Sequence, residues 1–263
     1  MAYIPKLPDD TVNVTNSNFI EEMLKLVVGV SLLISVAFLV VTLSTSLIVE
    51  NMSLKTEQKL QSLFSSSLEI DTNSSNKEVL YLQSIVDNLN SCAKLPYDIT
   101  VSISNHKEPN AFAMMGGAIV ITKGMLKEIQ NENELTFVLG HEMGHFKHRD
   151  HLKGLGNGII FAMISLFVPN SFVENILSLN ALSYSQSQES SADIFGIEMM
   201  LCRYQDTIGS ASLFERMSKN DKWSDFLATH PDFHTRVLEI KKYIKSNNLP
   251  ATKESRELRY SFE

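Results

Sequence analysis

The 24 residues from Leu26 to Val49, LVVGVSLLISVAFLVVTLSTSLIV, contain no charged side chain. As a helix this run is about 36 Å long, enough to cross a hydrocarbon core of about 30 Å with some tilt. A core helix of a soluble domain is seldom apolar on every face over such a length. A cleaved signal peptide would have a basic start and a shorter apolar core of about 7–15 residues. The run is therefore read as a single transmembrane helix over 24–50, after a polar tail (1–23) and before a juxtamembrane helix and linker (51–74). Lys6 and Lys25 on one side nearly balance Lys55 and Lys59 on the other, so the positive-inside rule leaves the orientation open. The working expectation is a single-pass membrane protein with the bulk of the chain on the extracytoplasmic side.

A net charge of −7 over 263 residues, with no basic patch interleaved with aromatics, gives no footprint for nucleic acid. Cys92 and Cys202 are too few for a disulfide scaffold or a cysteine-rich metal site. They are expected to be buried free thiols.

Beyond the span, Ser53–Leu68 favours helix, and the polar cluster from Asp71 to Asn76 reads as a linker. Val79, Leu82, Ile85, Val86 and Leu89 recur at helical spacing and mark a core-facing stripe. After Pro96, Ile99, Val101 and Ile103 alternate with polar residues as in a half-buried strand. Gly116-Gly117 between two apolar runs predicts a hairpin, since glycine takes positive φ without penalty. Its first arm, Asn110, Ala111, Phe112 and Ala113, is a candidate edge strand beside a cleft, where an extended peptide can add as another strand. The uncharged run 154–173 reads as a helical hairpin with Pro169 near the turn. Helices are predicted over Ile208–Met217 and Asp232–Lys245, with a loose charged tail at 248–263. Trp223 and Phe226 are assigned to packing the loop that precedes the second of these.

The chemistry-bearing stretch is His141-Glu142-Met143-Gly144-His145, within a helix that starts near Asn131 and has Leu135, Val138 and Leu139 on its apolar face. Residues four apart on a helix lie one above the other, so His141 and His145 aim two imidazoles at one point. Imidazole nitrogen suits Zn2+, and Glu142, about 100° around the helix, can reach a water beside the metal as general base. His148 and His151 are read as solvated or supporting residues. A catalytic zinc takes three protein ligands, and Glu189 is the best third candidate. Asp193, four residues on, can accept a hydrogen bond from a ligating histidine and fix its tautomer. Ser190, Ser191 and Ala192 are small enough to let two helices approach closely there.

Four blocks then occur in order: Asn110–Gly117 (NAFAMMGG), the His141–His145 run, Glu189–Asp193 (E-x-x-A-D), and His230-Pro231 with Arg236. Together they resemble the HtpX/CAAX-prenyl-protease type of membrane-associated zinc metallopeptidases, a gluzincin group, over about 75–245. The resemblance implies an α+β, mainly helical, zincin-like domain over 75–247, with a small sheet and hairpin bordering the cleft. It implies one Zn2+ per chain on His141, His145 and Glu189, with Glu142 as base and Asp193 behind a zinc-bound histidine. Asn110–Ala113 would line the substrate groove. His230 would stabilise the oxyanion or transiently occupy the open position, and Arg236 would brace this region by ion pairing. The chain departs from the family at Met115, where Pro is frequent, and at Gln186, where Arg is frequent; neither is a metal ligand.

The resulting expectation is a membrane-anchored zinc endopeptidase acting on polypeptides, in membrane or envelope protein quality control. The alternative is a catalytically silent or self-inhibited zinc-containing adaptor or chaperone of the same fold, with His230 as a fourth ligand.

Overall fold

The computed structural model describes residues 18–64, 70–71, 76–152, 184–218, 223, 226, 229–230, 232–251, 254–260 and 262. The expected hairpin at 154–173 lies outside them. The chain divides into two compact units, 1–45 and 46–263.

The first helix, α1 (Phe19–Asn51), starts earlier than expected, inside the segment read as a tail. Asn18 explains the start: its side-chain oxygen accepts the Ile20 N–H at 3.2 Å, and Glu21 and Glu22 suit the positive end of the helix dipole. The segment Phe19–Val40 is the one helix among the described residues long and apolar enough to cross a membrane, and none of it is buried in protein.

In the second unit, α2 (Leu54–Phe64) is followed by α3 (Lys77–Ala93), α4 (Lys123–Glu128), α5 (Glu132–Lys147), α6 (Gln186–Tyr204), α7 (Ser212–Met217) and α8 (Phe233–Ser246). Four strands, β1 (Ile70–Asp71), β2 (Thr100–Ser104), β3 (Ala111–Met114) and β4 (Ala118–Thr122), form one sheet in the order β1-β2-β4-β3. This mainly helical architecture with a small sheet agrees with the expected class. The predicted stripe on α3 is buried throughout, and Gln83 fastens that helix to β2 by bonding both Ile99 O and Val101 N.

The β3–β4 hairpin forms where Gly116 and Gly117 take φ of 76° and 92°, and β3 is an edge strand. β2 differs from the half-buried strand expected. It lies between β1 and β4, and Ser102 and Ser104 are buried with its apolar residues. Two ends of the predicted linker also have structure, since Asp71 belongs to β1 and Asn76 caps α3 by accepting the Glu78 N–H.

Helix α5 forms the centre, buried from Asn133 to Phe146 rather than along one apolar face. It starts where Asn131 accepts the Glu134 N–H. Its partner α6 approaches closely enough that a Cβ on Gly144 would meet Ala192 Cα at 2.8 Å, and one on Gly140 would meet Gly196 Cα at 3.2 Å. The small residues that matter are thus Ala192 and Gly196; Ser190 and Ser191 are half-buried beside them.

Three further expectations are corrected. Cys92 and Cys202 are not free thiols: they form a disulfide, with Cα atoms 6.4 Å apart, joining the ends of α3 and α6. Sequence spacing gives no sign of this, because two residues 110 positions apart are brought together only by helix packing. The C-terminal tail is not loose, since Glu132 N donates to Arg256 O, Thr207 N donates to Pro250 O, and Arg256 N donates to Asn133 Oδ1. Tyr260 and Phe262 also pack on Tyr81. The helix predicted from Ile208 starts only at Ser212, after a turn in which Gly209 has φ of 92°.

Candidate active site

His141 and His145 face α6 from the last two turns of α5, and both are almost wholly buried. Their Nε2 atoms lie 3.2 Å apart. Glu189, one turn into α6, places Oε2 3.6 Å from His141 Nε2 and Oε1 3.6 Å from His145 Nε2. Ser185 holds the start of α6 in a capping box with Gln188. Four ligands at about 2.0–2.1 Å around a tetrahedral zinc stand about 3.4 Å apart. The three separations are therefore those of one face of such a tetrahedron, and the donor set, two imidazoles and a carboxylate, suits zinc. His230 Nδ1 approaches the same point, 3.3 Å from His141 Nε2 and 3.0 Å from Glu189 Oε1. The four donors all lie within 4.8 Å of one another.

Each histidine on α5 has its own carboxylate behind it. His141 Nδ1–H donates to Asp193 Oδ1 at 2.9 Å, which leaves Nε2 unprotonated toward the cluster. Arg236 Nη2 is 3.3 Å from the same ring nitrogen, but its proton goes to Asp193 Oδ1 at 2.6 Å. His145 Nδ1 faces Asp150 Oδ2 at 3.3 Å, and Asp150 Oδ1 accepts from Gln188 at 2.8 Å. Asp150 was not foreseen. Its spacing of five from His145 fits no helical face; Arg149, with φ of 55°, turns the chain back and makes the contact possible.

Arg236 is fully buried on α8, forms an ion pair with Glu189 Oε2 at 2.6 Å and hydrogen-bonds both oxygens of Asp193. Although burial works against the charged form of Glu189, His230 and Arg236 outweigh it and hold the carboxyl down to about 2. Burial, with Arg236 adding to it, holds the His141 imidazole well below the ordinary range, in the neutral form that binds a metal.

Glu142 is fully buried, and neither of its carboxylate oxygens has a hydrogen-bond partner among the described residues. Burial pushes its carboxyl up. His230 Nε2 lies 3.8 Å from Oε1. That same Nε2 donates to Ala111 O of β3 at 3.3 Å, so the edge strand reaches the cluster through His230. Phe226 stacks on the His230 ring at 4.4 Å and Trp223 is buried nearby in sequence, the packing role expected of both. Tyr184 stacks on His145 at 3.7 Å, a contact that sequence reasoning did not single out.

The other candidates sit as follows. Ala111 and Ala113 are buried, Phe112 is half-buried, and Asn110 lies just before β3 with a buried Oδ1 that has no partner among the described residues. His148 is half-buried. His151 is not solvated: its Nε2 bonds Glu57 at 2.8 Å and its Nδ1 faces the carbonyl of His145 at 3.2 Å.

Comparison with known proteins agrees with this geometry. Residues 76–244 match the model of peptidase family M48. The chain is 31% identical over 170 residues to a protease HtpX homolog of Campylobacter concisus, covering 63% of this chain and 58% of that one. It is 30% identical over 138 residues to the mitochondrial metalloendopeptidase OMA1 of Arabidopsis thaliana, covering 50% and 28%. It is 26% identical over 159 residues to metalloprotease LoiP of Escherichia coli, covering 54% and 62%. The chain spans less than two thirds of the length of each. The matched segment takes in β3, both histidines of α5, Glu189, Asp193, His230 and Arg236, and on that footing the chain belongs to peptidase family M48.

Proposed function

We propose that the chain is a zinc-dependent endopeptidase whose ligands are His141, His145 and Glu189 and whose general base is Glu142. The observation that carries this reading is a cluster of donors at tetrahedral spacing beside a buried carboxylate whose two oxygens have no hydrogen-bond partner among the described residues. Bound there, zinc would act as a Lewis acid toward a peptide carbonyl and lower the pKa of water to about 7.

The chain's own residues supply the rest. Asn110 O accepts from Thr122 N of β4; by the alternation of an antiparallel pair, Ala111 and Ala113 turn their N–H and C=O groups to the free edge. An extended substrate can add there as another strand, with Asn110–Ala113 lining the groove. Glu142 takes the proton of the attacking water and delivers it to the leaving amine. His230 donates Nε2–H to the developing oxyanion, exchanging the Ala111 carbonyl for it. Asp193 fixes the His141 tautomer, and Arg236 balances the charge of Glu189 and Asp193.

In this reading α1 is the anchor of a single-pass membrane protein, with the peptidase domain over 75–247. The Cys92–Cys202 disulfide supports an extracytoplasmic domain, because disulfides persist in oxidising compartments. Relatives named as proteases and metalloendopeptidases support polypeptide substrates, and a role in membrane or envelope protein quality control is the setting proposed for an anchored peptidase of this kind.

One observation favours a second reading. His230 Nδ1 stands at ligand distance from the cluster, so His230 can close the site as a fourth ligand and hold the protein silent or self-inhibited until substrate displaces it. The deciding experiment is casein turnover by purified protein loaded with zinc, with Glu142→Gln alongside. The proposal expects both proteins to hold one zinc while the variant loses turnover by about 10²–10⁴-fold. Undiminished cleavage by the zinc-loaded variant would refute the role of Glu142.

A further inference from the structure

Glu57 lies on α2, outside the segment that matches the family and far in sequence from every site residue, yet it is fully buried. Four groups converge on its carboxylate. Oε1 accepts the Gly116 N–H at 2.9 Å and faces His151 Nε2 at 2.8 Å. Oε2 accepts from Tyr97 Oη at 3.3 Å and lies 3.9 Å from Arg149 Nη2. Burial works against the charged form, but the hydrogen bonds from His151 and Gly116 outweigh it and hold the carboxyl below its ordinary range. Arg149 also donates to Met52 O at 2.7 Å, fastening the chain just ahead of α2.

The two contacts of Oε1 belong to two parts of the active site. Gly116, with φ of 76°, is in the turn that joins the edge strand β3 to β4. Its N–H points away from the ladder and finds its acceptor on α2. His151 faces the carbonyl of the ligand candidate His145 through its other nitrogen. One carboxylate oxygen therefore links the hairpin that aims the edge strand to the last turn of the helix that aims the metal ligands. We infer that Glu57 is a positioning residue for peptide engagement, which makes the juxtamembrane helix α2 a working part of the peptidase. The inference rests on the peptidase reading above. Without the Oε1 contacts the hairpin turn loses its acceptor, the edge strand shifts against the metal helix, and an added substrate strand no longer meets the cluster in register. Such a loss weakens ground state and transition state alike, so it raises KM and leaves kcat nearly unchanged.

The test uses the full chain in detergent micelles with a quenched casein-derived peptide, and compares Glu57→Ala, Glu57→Asp and Glu57→Gln. Glu57→Ala is expected to raise KM about tenfold with kcat within about twofold, the size of one lost charge-assisted hydrogen bond. Glu57→Asp, which withdraws the carboxylate by one methylene, should show the same defect in smaller measure and serves if the alanine variant fails to fold. Glu57→Gln should recover KM to within about threefold, because the amide oxygen can keep both Oε1 contacts. Amide hydrogen exchange should quicken at 114–118 in Glu57→Ala while α6 keeps its protection. An unchanged KM in folded Glu57→Ala and Glu57→Asp, or faster exchange spread evenly over the domain, would overturn the assignment. If the wild-type protein shows no turnover the peptidase reading fails, and the exchange pattern still decides the role of Glu57.

Discussion

Arg236→Leu tests the electrostatic design of the site most directly. Arg236 is the cation bonded to both Glu189 and Asp193, and all three side chains are almost wholly buried. Replacing it with a similar apolar volume leaves two carboxylates facing each other's field. Zinc can compensate Glu189, so the residual cost falls on Asp193, which among the described residues keeps only its bond to His141. Removing one partner of a buried ion pair costs about 3–5 kcal/mol. At about 2–4 °C per kcal/mol for a unit of this size, that is a fall of roughly 6–20 °C in Tm. The assay is thermal unfolding in detergent, with and without excess zinc. The expected pattern is a large loss without zinc and partial recovery with it. Arg236→Lys should fall between, since an ammonium cannot match the guanidinium's paired contacts. A Tm for Arg236→Leu within about 2 °C of wild type without zinc would show that the pair adds nothing, as replaced buried ion pairs sometimes do, and would refute the reasoning.

Further outcomes follow from other contacts. His230→Ala should keep zinc on His141, His145 and Glu189 and lose about 10²–10³-fold in kcat; a rise in activity would instead favour His230 as a closing ligand. Cys202→Ser removes a cross-link spanning 110 residues, worth up to about 4–5 kcal/mol in the chain-entropy picture. Alkylation of both thiols without prior reduction would disprove the disulfide. Glu134 is bonded by both Arg216 and Ser212, and these contacts outweigh burial to hold its carboxyl below the ordinary 4.5. A carboxyl lowered in the folded state adds stability above its unfolded value and loses it as pH falls through the folded one. Glu134→Gln should therefore unfold at lower denaturant than wild type at pH 7, with the gap closing as pH falls below 4.5; a gap independent of pH would count against this.

The legibility of this chain follows the range of each interaction. The His141–His145 pair, the α3 stripe and the Gly116-Gly117 hairpin could be read because their physics is local, set by helical period or by φ. Glu189 and Asp193 could be read because one period places both on the same face of α6. His230, as a residue before a proline, carried no local signal; only its place in a series of blocks pointed to it. Asp150, Tyr184, Glu57 and the disulfide left no usable trace. Asp150 needs the left-handed turn at Arg149, Tyr184 needs the path of chain leading into α6, and Glu57 meets Gly116 across 59 residues. The packing of the tail is hidden for a related reason: its charged residues mask the few, Leu249, Leu258, Tyr260 and Phe262, that pack on the core.

One helix start carries more of the site than composition suggests. The first turns of α6 supply Glu189 to the cluster, Asp193 behind His141, and, through Gln188, the bond that holds Asp150 behind His145. Gln188 is also the residue that closes the capping box with Ser185. The hydrogen bond that starts the helix and the one that steadies the second orienting carboxylate therefore share a side chain. Both α5 imidazoles are oriented by groups fixed to α6, so the metal geometry depends on the spacing of these two helices more than on α5 itself. That spacing is set by Gly144 against Ala192 and Gly140 against Gly196, where a Cβ would not fit without movement. The glycine inside the His141–His145 run thus belongs to the site's machinery: it lets α6 stand close enough for Glu189 to complete the donor set.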